Sequence, residues 1–191
     1  MNVIDVKALV RLSITEPEKG AAAVLGLNPP VAARWLIMGF AVTLGVVLAY
    51  LLPVMSGRAG DLPSPFVATL VQGGMNIAAV ILATTVGRMF GGHGRFEDAL
   101  LLVAWLQLLM TGIQLIQLVV MVAIPPLGGL IMVAAVALFF WMLSGFVCTL
   151  HGFQSRFTVL LGTLGTLFVA AFIMSFVLIF LGFELPEMGD V

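Results

Sequence analysis

The chain has 191 residues, of which 62% are apolar, and its formal charges are 8 Lys or Arg against 9 Asp or Glu. An ordinary soluble domain is about 25% charged; at 9% charged and a mean hydropathy of +1.22, this chain lacks the polar surface to cover a core. A soluble enzyme and a disordered segment are excluded, as is a nucleic-acid binder, since a net charge of −1 supplies no basic patch. One cysteine, Cys148, leaves no intrachain disulfide framework and no cysteine-cluster metal site.

Residues 1–34 hold most of the charge. Asp5, Lys7 and Arg11 interrupt any apolar run that a cleaved signal peptide would need. Val3–Leu12 is expected to be a short helix on the membrane surface. Thr15-Glu16-Pro17-Glu18 has the pattern of a capping box, opening a second short helix through Ala21–Leu25 that stops near Gly26. Asn28-Pro29-Pro30 reads as the next helix start, with Asn28 as the cap.

Five uncharged stretches follow, each close to the roughly 20 apolar residues that cross a hydrocarbon core: about residues 35–55, 66–86, 99–124, 127–150 and 157–182. Their breaks are chemical: Gly57 to Pro65, the glycine-rich run Arg88–Asp98, the pair Pro125-Pro126, and Gly152 to Arg156. The stretches are too long for barrel strands and do not alternate. The expected fold class is an all-α integral membrane protein, a five-helix transmembrane bundle with short N-terminal surface helices and an acidic tail over residues 183–191. Lys7, Arg11, Lys19, Arg34, Arg88, Arg95 and Arg156 fall on one side, and Arg58 alone on the other. That bias predicts a cytoplasmic N-terminus and a periplasmic C-terminus.

No Asp, Glu, Lys, Arg or His lies within a span, which speaks against a proton relay or carboxylate chemistry in the membrane. What the spans contain is amides and hydroxyls. At 100° per residue, Gln107, Thr111, Gln114 and Gln117 share a face of the third span, and Thr69, Gln72 and Asn76 share one of the second. Two readings stand: the stripes hydrogen-bond to each other across the bundle, or they line a polar path or solute cleft. Small residues recur at helix-contact spacing, namely Ala41, Gly45 and Ala49, then Gly74 and Ala78, then Gly145 and Thr149. Arg34, Arg88, Arg95 and Arg156 are expected at lipid headgroups. His93 and His151 with Glu97 or Asp98 would be the residues of a two-His, one-carboxylate site, but no metal and no cofactor is expected. Ser144 and Cys148 lack a histidine at membrane depth, so an intramembrane enzyme is not expected either.

Several segments together resemble the Yip family of Ypt/Rab-interacting membrane proteins, in its bacterial branch. They are Thr15-Glu16-Pro17 through Leu27, the run Gly87-Arg88-Met89-Phe90-Gly91-Gly92-His93-Gly94-Arg95-Phe96, Leu101–Leu109, and Leu150-His151-Gly152-Phe153. The resemblance implies five spans with the N-terminus inside. It departs from eukaryotic members in two places. Leu27-Asn28-Pro29-Pro30 stands where they carry an Asp-Leu-Tyr-Gly-Pro-like segment, and Val103-Ala104-Trp105-Leu106-Gln107 replaces their Gly-Tyr-x-x-x-Pro run. With only about 34 residues before the first span, Rab binding is not carried over. The expectation is a non-enzymatic multi-pass protein of the bacterial inner membrane, a scaffold or membrane organiser. Its partners would be the lipid bilayer and a membrane-protein partner or second copy. The alternative is a channel or carrier for a small polar or lipid-like solute.

Overall fold

The computed structural model describes residues 5–55, 57, 60 and 62–180. Arg58, the acidic tail and the end of the fifth span at residues 181–182 lie outside the described residues, so the side of the C-terminus does too. Among the described residues seven α-helices follow one another: α1 (Val6–Thr15), α2 (Pro17–Gly26), α3 (Val31–Met55), α4 (Pro65–Met89), α5 (Phe96–Ala123), α6 (Gly128–His151) and α7 (Arg156–Phe180). A single 3-10 turn over Pro125–Leu127 joins α5 to α6. The last five helices are long and apolar enough to cross a membrane. They alternate in direction, so the starts of α3, α5 and α7 share one end with the finishes of α4 and α6. This is the basic end, carrying Arg34, Arg88, Arg95 and Arg156.

The spans begin earlier at this end than hydropathy predicts. α3 starts at Val31 and α5 at Phe96, each taking a charged first turn into the helix. One ion pair joins the two charged turns: Arg34 Nη1 meets Asp98 Oδ1 at 2.7 Å. Arg34 is only 4% exposed, and its other nitrogens donate to the Pro29 carbonyl at 3.0 Å and to Asn28 Oδ1 at 2.9 Å. The expectation that Arg34 meets lipid headgroups is therefore overturned, and Asn28 is a ligand for Arg34, not a helix cap. Its φ of +40° turns the chain so that its side chain faces back. Such a conformation is tolerated by Asn because the short amide bonds locally.

The N-terminal helices differ from expectation as well. α1 runs through Thr15, whose hydroxyl donates back to the Arg11 carbonyl. Glu16 occupies the position before α2, with no side-chain cap, so the capping box does not form. Asp5 caps α1 instead, accepting from the Ala8 amide at 3.0 Å. Nor do α1 and α2 lie apart on a surface. Ala21 and Val24 of α2 are in one core cluster with Leu101, Leu102, Leu106 and Leu109 of α5 and with Met142 and Phe146 of α6. Trp105 Nε1 donates to Ser13 Oγ and Trp141 Nε1 to the Ile14 carbonyl, each at 2.9 Å. Gly145 admits α2, since a Cβ there would collide with Pro17. Thr149 donates to the Glu18 carbonyl at 3.1 Å, and Arg156 pairs with Glu18 at 3.2 Å while lying 4.0 Å over the Trp141 ring. The small pair Gly145 and Thr149 thus receives α2.

α5 is the central helix. A second core cluster joins its Ala99, Leu100 and Ala104 to Met38 and Val42 of α3 and Val80 of α4. α7 packs chiefly on α6 and makes almost no contact with α4.

Removing one partner of a buried ion pair leaves the other uncompensated, at a cost of about 3–5 kcal/mol. Asp98→Asn should lower the melting temperature of the detergent-solubilised protein, and Arg34→Met combined with Asp98→Leu should recover most of the loss. A single-variant melt equal to wild type would show that the pair carries no stability. Trp105→Phe with Trp141→Phe should expose the peptide bond after Arg11 to trypsin without lowering the helical circular-dichroism signal.

Candidate functional site

The α5 amide stripe does not face the α4 stripe. It faces α3, where a Cβ on Gly45 would stand 3.2 Å from Gln107 Nε2 and 3.4 Å from Thr111 Oγ1. Gln114 Nε2 reaches the Gly45 carbonyl at 3.4 Å. Ala41 and Gly45 are buried in this seam, so the small stripe of α3 makes room for the amides of α5. The remaining hydroxyls and one amide bond back to their own helices: Thr69 to the Pro65 carbonyl, Thr111 to that of Gln107, and Asn76 to that of Gln72. No stripe-to-stripe hydrogen bond forms among the described residues. Gln117 is half-buried, while Ala49, Gly74 and Ala78 are exposed and do not pack within the chain.

Gln72, Asn76 and Gln107 do share one environment. They line a cavity of about 850 Å³ between α4, α5, α6 and α7. That size lies within the roughly 300–1,000 Å³ of ordinary ligand pockets. It exists because α7 rests on α6 and stands off α4. Its wall is mostly aliphatic, and among the described residues no Asp, Glu, Lys, Arg or His belongs to it. Along α5, α6 and α7 it ends near the helix midpoints, at Met110, Phe139 and Leu167, and along α4 it reaches Gln72, about one turn further. At the basic end it is rimmed by Phe90, Phe153, Gln154, Ser155 and Thr158. Hydrogen bonds from the Gln72 and Gln107 side-chain amides to other described residues are absent, which leaves both free to meet a guest or water.

The rim is held by a histidine knot. Gly94 donates its N–H to His151 Nδ1 at 3.1 Å, so Nδ1 carries no proton and the neutral ring holds it on Nε2, which faces the Ala83 carbonyl at 3.0 Å. His151 is 3% exposed, and Phe153 stacks on it with ring centroids 5.3 Å apart. A Cβ on Gly87, Gly92 or Gly94 would come within 2.6 Å of His151 side-chain atoms, so the ring fits only because three glycines enclose it. Arg88 Nε fastens the same loop by donating to the Gly94 carbonyl at 2.9 Å. Two runs far apart in sequence, Gly87–Phe96 and Leu150–Phe153, are thus two halves of one contact. The clustered glycines and the repeated His-Gly were the visible signal. Which residue they enclose was not visible. His93 is exposed and does not join His151, and no group of His, Cys, Asp and Glu among the described residues is arranged to hold a metal.

The remaining arginines divide. Arg95 is exposed and pairs with Glu97 at 3.0 Å, and Arg156 is held by Glu18 and Trp141, as above. Arg88 is exposed apart from its Nε contact. Sequence reasoning missed Thr158, Thr163 and Thr166 as cleft residues, because isolated threonines in an apolar helix show no stripe.

Gly87→Ala should drive a methyl group into the His151 ring atoms Nε2, Cε1 and Cδ2, and overpacking of this kind costs about 1–3 kcal/mol. Its melting temperature in detergent should fall, and the loss should shrink when His151→Ala is added. Gly74→Ala, whose Cβ meets nothing within 4 Å, is the helix control and should melt no lower than wild type. Equal melts for the two alanine variants would refute the knot.

The Yip1 domain family model matches residues 11–183, from within α1 through the last span. No curated protein and no solved structure matches the chain. The match takes in α2, the glycine run and the His151 turn, the segments that build the basic end, and by its extent the chain belongs to the Yip1 domain family.

Proposed function

We propose that this chain is a non-enzymatic organiser of the bacterial inner membrane that works by holding lipid, with its N-terminus cytoplasmic and its C-terminus periplasmic. The observation that carries this reading is the cleft: aliphatic, with no charged residue among its described lining, ending near mid-depth on three of its four helix walls, and bordered by two helices that barely touch. A conduit would need a polar path through both halves. Here the α3–α5 seam is closed by Gly45 against Gln107 and Thr111, level with the cleft's inner end on α5. The orientation rests on the basic residues gathered at one end.

The scaffold reading draws on a second surface. Gly74 and Ala78 are exposed on α4, where small side chains permit the close approach of a membrane-protein helix or of a second copy. A carrier for a small polar solute is the competing reading, favoured by the free amides of Gln72 and Gln107.

Reconstitution separates the two. Proteoliposomes should be no more permeable to glycerol or urea than protein-free vesicles, while protein purified in mild detergent should retain lipid in a fixed ratio. Solute flux abolished by Gln72→Leu with Gln107→Leu would overturn the proposal in favour of the carrier.

A further inference from the structure

The preceding reading leaves open which lipid, and from which leaflet. Resting on it, we propose that the cleft seats one acyl chain of an anionic phospholipid from the leaflet at the basic end, admitted sideways between α4 and α7, with Arg88 at its headgroup.

Depth comes first. From Thr158 to Leu167 the α7 wall of the cleft spans about 14 Å at 1.5 Å per residue, close to half of a hydrocarbon core of about 30 Å. On its α5, α6 and α7 walls the cleft therefore matches one leaflet, while on α4 it runs further, to Gln72; its rim lies at the basic end. A void of this size bordering hydrocarbon is filled by hydrocarbon, because an aliphatic wall gives water too few partners. The chain gains little from leaving bulk lipid, which is equally apolar. Its gain is contact with wall atoms that would otherwise face a gap. Gln72, Asn76 and Gln107 put the cleft's amide side chains on its α4 and α5 walls, toward the inner end where Met110, Phe139 and Leu167 close it.

Charge selects the headgroup. Gln154, Ser155 and Thr158 stand at the rim, at the level of a lipid's glycerol and ester groups. Arg88 lies one residue past Gly87 and two before Phe90, both of which line the cleft. Its Nε is anchored to the Gly94 carbonyl, so the guanidinium is positioned while its terminal nitrogens have no partner among the described residues. Arg34, Arg95 and Arg156 are committed to Asp98, Glu97 and Glu18. Arg88 is thus the basic group at the rim with donors to give, and a phosphate carrying net negative charge is their complement.

The full chain is reconstituted in vesicles of equal parts phosphatidylglycerol and phosphatidylcholine with identical chains, extracted in mild detergent, and its retained lipid read by native mass spectrometry. One retained lipid per chain is expected, with phosphatidylglycerol favoured roughly fivefold, the effect of one basic residue near a charged headgroup. Ala79→Phe with Gly162→Phe fills the cleft from its two edges, where a Cβ on Gly162 meets nothing, and should abolish retention. Gly39→Phe adds equal bulk on α3 outside the cleft and should leave retention intact. Arg88→Gln should keep the lipid but lose the preference. Soluble glycerol phosphate should not displace the lipid; displacement would mean that a phosphate site alone is present and would overturn the chain assignment. Retention unchanged by the two phenylalanines would overturn the site. Equal retention of both lipids by wild type would overturn the headgroup assignment while leaving lipid holding intact. No retention in any form would instead refute the broader reading.

Discussion

A polar group inside a hydrocarbon layer must find its partner within the protein, and that constraint organises this molecule. At the basic end the buried polar groups meet it. Arg34 is enclosed by Asp98, Asn28 and the Pro29 carbonyl. His151 has an N–H on one nitrogen and a carbonyl on the other. Two tryptophan N–H groups are satisfied by Ser13 and the Ile14 carbonyl. The Asp98, His151 and tryptophan contacts join elements distant in sequence, so satisfying these polar groups is also what assembles the bundle. Between helices as apolar as the surrounding lipid, hydrogen bonds and close fit supply the specificity that hydrophobic burial supplies in water.

The same constraint is met differently in the bundle's middle. Thr69, Thr111 and Asn76 return their donors to carbonyls one turn back, which needs no other helix. Gln114 reaches across to α3. Gln72 and Gln107 are left facing the cleft, a void the bundle keeps because α7 leans on α6 alone of its large neighbours. A tightly packed basic end beneath a loosely closed cleft is an arrangement suited to holding a guest without rearranging the fold. Rigidity at the rim comes from three glycines around one imidazole, a fit in which each added methyl group would displace the ring.

The N-terminal helices extend that rigid end. α2 inserts its alanine and valine face between α5 and α6, and Arg156 ties its first turn to the start of α7 through Glu18. The residues before the first span therefore belong to the bundle's packing. The family match likewise begins within α1 and not at the first long helix.

Much of this was legible in the sequence. The five spans, the Pro125-Pro126 turn and the glycine-rich loop are local facts: a helix in lipid is set by a run of some twenty apolar residues and ended by residues that break it. The family resemblance rested on the same local runs. What faces what was not legible. Hydropathy gives no contrast between a lipid-facing and a protein-facing side of a helix when both environments are apolar, so the α5 amides could be grouped into a stripe without revealing that Gly45 of α3 is their neighbour. Arg34 looked like a headgroup contact because its partner, Asp98, lies 64 residues away. The stand-off of α7, and with it the cleft, depends on side-chain shape over four helices at once. Only the tertiary structure, where those shapes meet, decided it.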